Sequence, residues 1–435
     1  MTISGRLVGL VAVGVVPVVV FGELFGAALA ALGGWLLFVV ALVVLDLVLA
    51  ASPRRVAVER SIPGRVRLGE TAVSTLYLTN TGRRMLRAVV RDAWQPSAGP
   101  ASARARVEIP AGERRSYQIA LTPFRRGERR TERVTVRSFG PLGLAARQAT
   151  LLAPGRIRVL PPFNSRKHLP SRLARLRELD GRTSVMIRGQ GTEFDSLREY
   201  VRGDDVRSID WRATARHSDT MVRTWRPERD RRVVIVIDTG RTQAARIDDE
   251  PRIDTAFESA LLLAALATRA GDRVDLIAFD RRLRGRVHGA SGPELLSRMV
   301  DVMAPIEPEL IEMDWTAVPG LVRQVTTQRS LVVLCTAIDA PGISRELMSI
   351  VPQLTRNHLV LVSSVTDPDV LAGVLERGDR EEVYRAAAAE RALLDVARVT
   401  TVLKRYGADV VTGSPADLPP AVADRYLALK AAGRL

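Results

Sequence analysis

Two uncharged and almost wholly apolar runs, Leu7 to Phe21 and Leu24 to Leu45, constrain this chain more than any other feature. A backbone in lipid must satisfy its own amides, so runs of this kind cross a bilayer as helices. The first run covers only roughly 22 Å at 1.5 Å per residue, so it spans with Gly5 or Gly22 and their neighbours included; the second is long enough alone. No small-x-small cleavage site precedes a polar start, which favours a two-helix transmembrane hairpin turning at Gly22 and Glu23 over a cleaved leader. Arg6 precedes the hairpin, Arg54, Arg55 and Arg60 follow it, and Glu23 alone lies between. The positive-inside rule then places everything after residue 50 on the cytoplasmic face of the inner membrane. Asp46 has no intramembrane partner in the sequence and reads as a positional residue, not a proton carrier.

Residues 1–52 form this hairpin, and residues 53–162 change period. Tyr117, Ile119, Leu121, then Val134 and Val136 alternate with polar neighbours, and turn signals at Pro63-Gly64, Asn80-Thr81-Gly82, Pro110-Ala111-Gly112 and Gly140-Pro141 cut the region into short strands. This predicts a small antiparallel β-sandwich, immunoglobulin-like in architecture. Residues 163–232 hold a short basic helix, Leu169 to Leu179, whose narrow apolar face suits packing on protein better than lying on lipid, and then an arginine-dense segment. Residues 233–435 alternate strands and helices. Val233 to Ile237, Val274 to Phe279, Leu331 to Cys335 and Leu359 to Val365 read as strands covered on both faces, with an edge strand near Leu283 to Val287 and a last one near Ala408 to Val411. Helices fall at Ile253 to Arg269, Pro293 to Met303, Thr316 to Thr327 and 380–405. The expectation is a multidomain chain ending in a doubly wound α/β domain with a mainly parallel sheet.

The formal charge is +16, almost all of it arginine, since Lys167, Lys404 and Lys430 are the only lysines. Arginines occur in every domain, interleaved with acids, and no nucleic-acid motif accompanies them, so a cytoplasmic body beside anionic lipid is the better reading than a nucleic-acid partner. Cys335 is the single cysteine, which excludes an intrachain disulfide and a cysteine-based zinc site. His168, His217, His288 and His358 are scattered without metal-ligand spacing.

The arginine-dense segment, from Ile187 to Arg232, carries a compact pattern. Gly189 and Gly191 are followed by Glu193, Phe194, Asp195, Leu197, Arg198 and Tyr200. After these come Gly203, Asp204 and Asp205, then Arg207, then Asp210 and Trp211, and finally Ala213, Ala215 and Arg216. Gly203 to Asp205 is a turn signal, and Asp205 reads as the N-cap of a helix with Val206, Ile209 and Ala213 on one face. At these residues the chain resembles the domain-of-unknown-function fifty-eight family. The resemblance extends to the layout, and it implies a membrane hairpin, a β-rich domain, this signature, and a von Willebrand factor A-like domain. It further implies a cytoplasmic protein partner, a MoxR-type AAA+ ATPase, and a setting in envelope assembly. The signature acids Glu193, Asp195, Asp204, Asp205 and Asp210 are read as pairing with Arg198, Arg207, Arg212 and Arg216 to brace an irregular segment. The alternative is paired carboxylates for metal-dependent phosphoester hydrolysis, but no nucleophile or histidine base stands beside them.

Ligands of doubly wound sheets bind outside the carboxyl ends of the strands. The first strand here ends in Asp238-Thr239-Gly240-Arg241-Thr242, which resembles the Asp-x-Ser-x-Ser metal motif of von Willebrand factor A domains, with Thr316 matching the later threonine by position. Gly240 lacks the hydroxyl that pattern supplies, and Ala337 stands where a later carboxylate belongs, with Asp339 two residues on. The expected site is therefore a degenerate one for Mg²⁺ built from Asp238, Thr242 and Thr316, and no other cofactor is implied. The overall expectation is a membrane-anchored adaptor and not an enzyme.

Overall fold

The first apolar run is helical in two pieces, α1 (Gly5–Val13) and α2 (Val15–Phe25), and the second forms α3 (Ala28–Leu49). The first span covers Gly5–Phe25, about 31 Å at 1.5 Å per residue, and both spans are long and apolar enough to cross a membrane. The break falls at Gly26, whose φ of 61° is left-handed, and not at Gly22 and Glu23, which continue the helix. The computed structural model describes residues 2–186, 193–202, 204–216, 219–226, 231–248, 250–339 and 341–435. They fall into two compact units, Met1–Leu160 and Pro161–Leu435. The first thus joins the apolar helices to the β-rich region, and the second joins the arginine-dense segment to the α/β region.

The first unit holds two facing sheets. Strands β1 (Thr2–Ile3), β2 (Val56–Ser61), β3 (Arg65–Arg67), β4 (Ala72–Asn80), β5 (Leu86–Asp92), β6 (Arg104–Ile109), β7 (Arg114–Leu121), β8 (Gly127–Phe139) and β9 (Ala145–Leu160) sort into β2-β4-β7 and β1-β9-β8-β5-β6, with β3 beside β9. Alternate residues of β4 and β5 turn inward, and Leu76, Leu78, Ile119 and Leu121 of one sheet meet Leu86, Val90, Val134 and Ile157 of the other in one core. Arg60 also lies within this core. Its guanidinium grips both oxygens of Asp92 at 2.7 and 2.8 Å, with side chains 3% and 0% exposed, beneath the ring of Trp94. This corrects the sequence reading of Arg60 as a membrane-flanking charge: its charge is spent on Asp92. Arg54 and Arg55 remain exposed after the second helix.

Asp46 is wholly buried at the end of α3. Its two carboxylate oxygens accept the backbone amides of Leu142, Gly143, Leu144 and Ala145, in the connection from β8 to β9, at 2.8 to 3.3 Å.

The second unit opens with α4 (Leu169–Met186), which lays Leu173 and Leu176 on the core rather than presenting them to solvent. Two strands, β10 (Glu193–Glu199) and β11 (Met221–Arg226), then pair antiparallel, with a one-turn helix α5 (Trp211–Thr214) between them. Val206, Ile209 and Ala213 do not share one helix. Val206 begins a 3₁₀ turn, Ile209 is extended and bridged to Val222, and Ala213 lies in α5.

The main sheet comprises β12 (Arg232–Asp238), β15 (Arg273–Phe279), β16 (Leu283–Val287), β17 (Leu331–Cys335), β18 (Leu359–Val365) and β19 (Asp409–Gly413). A two-residue pair, β13 (Arg246–Ile247) and β14 (Glu250–Pro251), interrupts the path to its first helix. The order is β16-β15-β12-β17-β18-β19, parallel throughout except for the antiparallel edge strand β16. The helices are α6 (Arg252–Arg269), α7 (Gly292–Met303), α8 (Val318–Val325), α9 (Pro341–Thr355), α10 (Pro368–Gly373), α11 (Arg380–Arg405) and α12 (Leu418–Ala431). Val233, Ile235 and Ile237 of β12 meet α6, α7 and α12 on one face, while Val234 and Val236 meet α8, α9 and the end of α11 on the other. Because both faces are covered, the central strands are continuous apolar runs.

Removing one partner of a buried ion pair leaves an uncompensated charge, so Arg60→Met should cost the first unit about 3–5 kcal/mol. Replacing both partners, as Arg60→Met with Asp92→Leu, should restore most of that loss. Thermal unfolding of the full chain in detergent checks this: the double variant must melt above the single one.

Candidate functional site

Parallel register brings the carboxyl ends of three strands together. Asp238 is paired with Phe279 across β12 and β15, and Ile237 with Cys335 across β12 and β17, so the residues just past each strand, Asp280 and Thr336, arrive beside Asp238 and Thr239. Asp238 is 1% exposed. Its Oδ1 accepts the amide of Gly240 at 2.8 Å, and its Oδ2 accepts the hydroxyls of Thr336 at 2.8 Å and Thr242 at 3.4 Å. Burial pushes its carboxyl up to about 6; the three hydrogen bonds hold it lower than burial alone would, and the nearby Asp280 carboxylate adds to the rise. Asp280, also fully buried, takes the Thr239 hydroxyl at 3.0 Å and the amides of Arg281 and Arg282 at 2.6 and 2.8 Å.

Of the residues expected here, Asp238 and Thr242 come together, and Thr316 does not join them. Its hydroxyl and amide both go to Asp314 at 2.5 and 3.0 Å, where Asp314 caps a short 3₁₀ turn. Thr336 supplies the hydroxyl instead, and Asp280 a second carboxylate. Asp339 is gripped at both oxygens by Arg252 and is not free for Asp238, while Ala337 is buried beside it. The missing hydroxyl at Gly240 has a steric reason. A Cβ there would lie 2.7 Å from the carbonyl of Ile311, because the chain at 309–313 bonds directly to Thr239 and Arg241. Among the described residues no group of three His, Cys, Asp or Glu side chains gathers as a metal site would need. Asp238 accepts three protein donors already, so this set fits an octahedral Mg²⁺ poorly.

The signature acids whose side chains are described, Asp204, Asp205 and Asp210, are engaged as well. Asp204 holds both guanidinium nitrogens of Arg198 at 2.6 and 2.8 Å and the amide of Val201 at 2.9 Å. Asp205 caps its turn through the amide of Arg207 at 2.9 Å, as its N-cap reading required. Asp210 caps α5 through Arg212 and Ala213 and binds Arg223 at 2.8 Å; the Ala213 amide first, then Arg223, holds its carboxyl below the usual range. The pairing differs in detail from the sequence reading. Arg223 was not foreseen as a partner, while among the described side chains Arg207 and Arg212 meet Asp205 and Asp210 through backbone amides and Arg216 pairs with none of Asp204, Asp205 and Asp210. Tyr200 and Trp211 stand exposed. Gly189, Gly191 and Gly203 lie outside the described residues, and Glu193, Phe194 and Asp195 are described only as backbone in β10.

Residues 196–372, from the signature through β18 and into α10, match the family model described as Protein of unknown function DUF58. Over these residues, less than half of its length, the chain is similar to the DUF58 family. Its relatives include the Uncharacterized protein Rv1480 of Mycobacterium tuberculosis and the Uncharacterized protein Mb1516 of Mycobacterium bovis, each 27% identical over 235 residues, which is 49% of this chain and 72% of theirs. Among solved structures, the CARDB domain of the PF1109 protein from Pyrococcus furiosus aligns at 17% identity with a TM-score of 0.19, over 24% of this chain and 91% of that domain. A PapD-like domain of human CEP192 gives 14% and 0.17 over 24% of this chain and 86% of that one. Overlap that slight carries no structural argument.

The raised Asp238 carboxyl gives the chain a signed pH dependence. The unfolded group releases its proton near 3.8 and the folded one near 6, so stability from this group is intact below pH 3.8 and falls as pH rises through 6, by roughly 3 kcal/mol at most. Asp238→Asn keeps a carbonyl for Gly240 and an amide for the two hydroxyls. It should melt above the wild type at pH 7, with the gap closing toward pH 4.5; a gap independent of pH would contradict the assignment.

Proposed function

We propose that this protein is a membrane-anchored adaptor. In this reading α1 to α3 form a transmembrane hairpin in the inner membrane. The soluble body faces the cytoplasm. The α/β region works as a von Willebrand factor A-like domain that docks a MoxR-type AAA+ ATPase or its client in envelope-related assembly.

The observation that carries the binding role is α11. Of its 26 residues only Ala386 and Leu403 are buried, while Val383, Tyr384 and Leu394 stand in solvent beside Leu371 and Leu375. Exposed apolar side chains set among charged ones suit a protein partner. Adaptor over hydrolase is supported by the carboxylates: Asp204, Asp205, Asp210, Asp238 and Asp280 each accept hydrogen bonds from within the chain, and among the described residues none stands beside a free nucleophile. Arg54 and Arg55 after the second span support the cytoplasmic orientation.

The test is co-purification of tagged full chain from detergent-solubilised membranes, with and without nucleotide. A MoxR-type ATPase should be recovered with the wild type, and Tyr384→Glu with Leu394→Arg should reduce recovery at least tenfold with little change in melting, as expected of exposed positions. Recovery of no ATPase under either condition would count against the adaptor role. Phosphoester turnover by the purified chain that is lost in Asp205→Asn would favour the hydrolase.

A further inference from the structure

Residues 53–160 hold 22 arginines against seven acids, +15 of the chain's +16, whereas residues 161–435 come to +2. The charge is therefore not shared among the domains, as its interleaving with acids suggests in the sequence; it belongs to the sandwich.

Strand register decides where it goes. In β5, Leu86, Ala88, Val90 and Asp92 point inward, which turns Arg87, Val89 and Arg91 outward. Arg104 of β6 lies directly opposite Arg91, and Arg106 lies opposite Val89. On the other side of β5, Val89 faces Arg137 of β8. The one acid in these rows is Glu108, opposite Arg87. Like charges directly opposite on neighbouring strands destabilise a sheet, and Arg91 and Arg104 make no ion pair among the described residues to offset this. Stability of the fold alone gives no reason to keep such a face.

The same sandwich is fixed to the end of α3. The Asp46 carboxylate holds the connection at 142–145, and the Arg84 guanidinium donates to the Val48 carbonyl. Met85 and Leu142, 47% and 42% exposed, stand beside these attachments. Arg6 reaches the Leu142 carbonyl at 3.4 Å. Basic side chains with a few exposed apolar ones at a helix end match the headgroup layer of an anionic leaflet.

We propose that the arginine-bearing outer face of the sandwich, with its rim at Arg84 and Met85, is a seat for the headgroups of anionic phospholipids in the leaflet from which the two helices emerge. This rests on the membrane reading of those helices. Each cation at an anionic surface favours partition roughly fivefold, and the attachments lie at the Arg87 end of the face, where Arg87 pairs with Phe139, with Arg91 and Arg104 four residues further along their strands. A single-stranded nucleic acid would need aromatic platforms for its bases, and the rows of this face offer only the half-buried Phe139.

The chain offers a clean labelling site. Cys335 is 2% exposed and burial pushes its thiol up to about 12, so it stays unmodified, and Val89→Cys can carry a single environment-sensitive fluorophore at the centre of the face. The labelled full chain is reconstituted into nanodiscs of phosphatidylcholine, alone or with phosphatidylglycerol. The expected result is a blue shift and protection from aqueous acrylamide only in the anionic discs, reversed by high salt. Arg104→Glu in the same chain should reduce the response by an order of magnitude while raising the melting temperature, because it turns a like-charge pair into an opposite one; a gain in stability excludes misfolding as the cause. Identical emission in both discs overturns the proposal, as does a response to an added oligonucleotide in phosphatidylcholine discs that matches the response to anionic lipid. If the chain leaves the discs under alkaline wash, the membrane reading fails and the proposal with it; if the chain stays and the probe is silent, the proposal alone fails.

Discussion

One buried carboxylate decides whether the first unit acts as a rigid piece. Asp46 ends an apolar helix yet is wholly buried, and its oxygens take four consecutive backbone amides. A buried charge is tolerated only when hydrogen-bonded, so the helix end and the connection at 142–145 hold each other: the carboxylate needs the amides, of which the Gly143 amide also has a second acceptor, the Gly140 carbonyl at 3.1 Å. The sequence shows an acid near the end of an apolar run without showing its partners, because they lie almost a hundred residues further on. Reading it as positional is consistent with what it touches.

The same principle runs through the chain's other carboxylates. Asp92 is consumed by Arg60, Asp204 by Arg198, Asp210 by Arg223 and two amides, and Asp339 by Arg252. An acid whose lone pairs are filled by fixed donors has little left for a metal or for proton transfer. Asp238 is the exception in one respect. Its burial pushes its carboxyl up to about 6, so this group at the carboxyl edge of the sheet changes charge well above the usual carboxylate range.

Much of the fold is legible because burial writes itself into the sequence. Leu331–Cys335 and Leu359–Val365 fall where continuous apolar runs place them, and α11 spans Arg380–Arg405, where the alanine-rich stretch begins and ends. What escapes is whatever depends on long-range pairing. α12 buries Leu418, Val422, Tyr426, Leu427 and Leu429 on several sides and shows no stripe, and α9 carries Pro352 in its interior, which reads as a break. At the site, Asp280 and Thr336 reach Asp238 only through parallel register, which no local spacing reveals. Thr316 matches a pattern by position, but Asp314 is two residues away and takes its hydroxyl first. The short turns after Asp205 and Asp210 look like one helix until Ile209 is seen bridged to Val222, which pulls the chain out of helical geometry.

The central claim is that the sandwich is locked to the second apolar helix through Asp46, and amide hydrogen exchange of the full chain in nanodiscs tests it most directly. Leu142, Gly143, Leu144 and Ala145 lie in or beside a connection between strands, where exchange is ordinarily fast. The account predicts slow exchange at these amides in the wild type and a large acceleration there in Asp46→Ala, with the interiors of β8 and β9 still protected. Fast exchange at 142–145 in the wild type, or no change on removing the carboxylate, would contradict it.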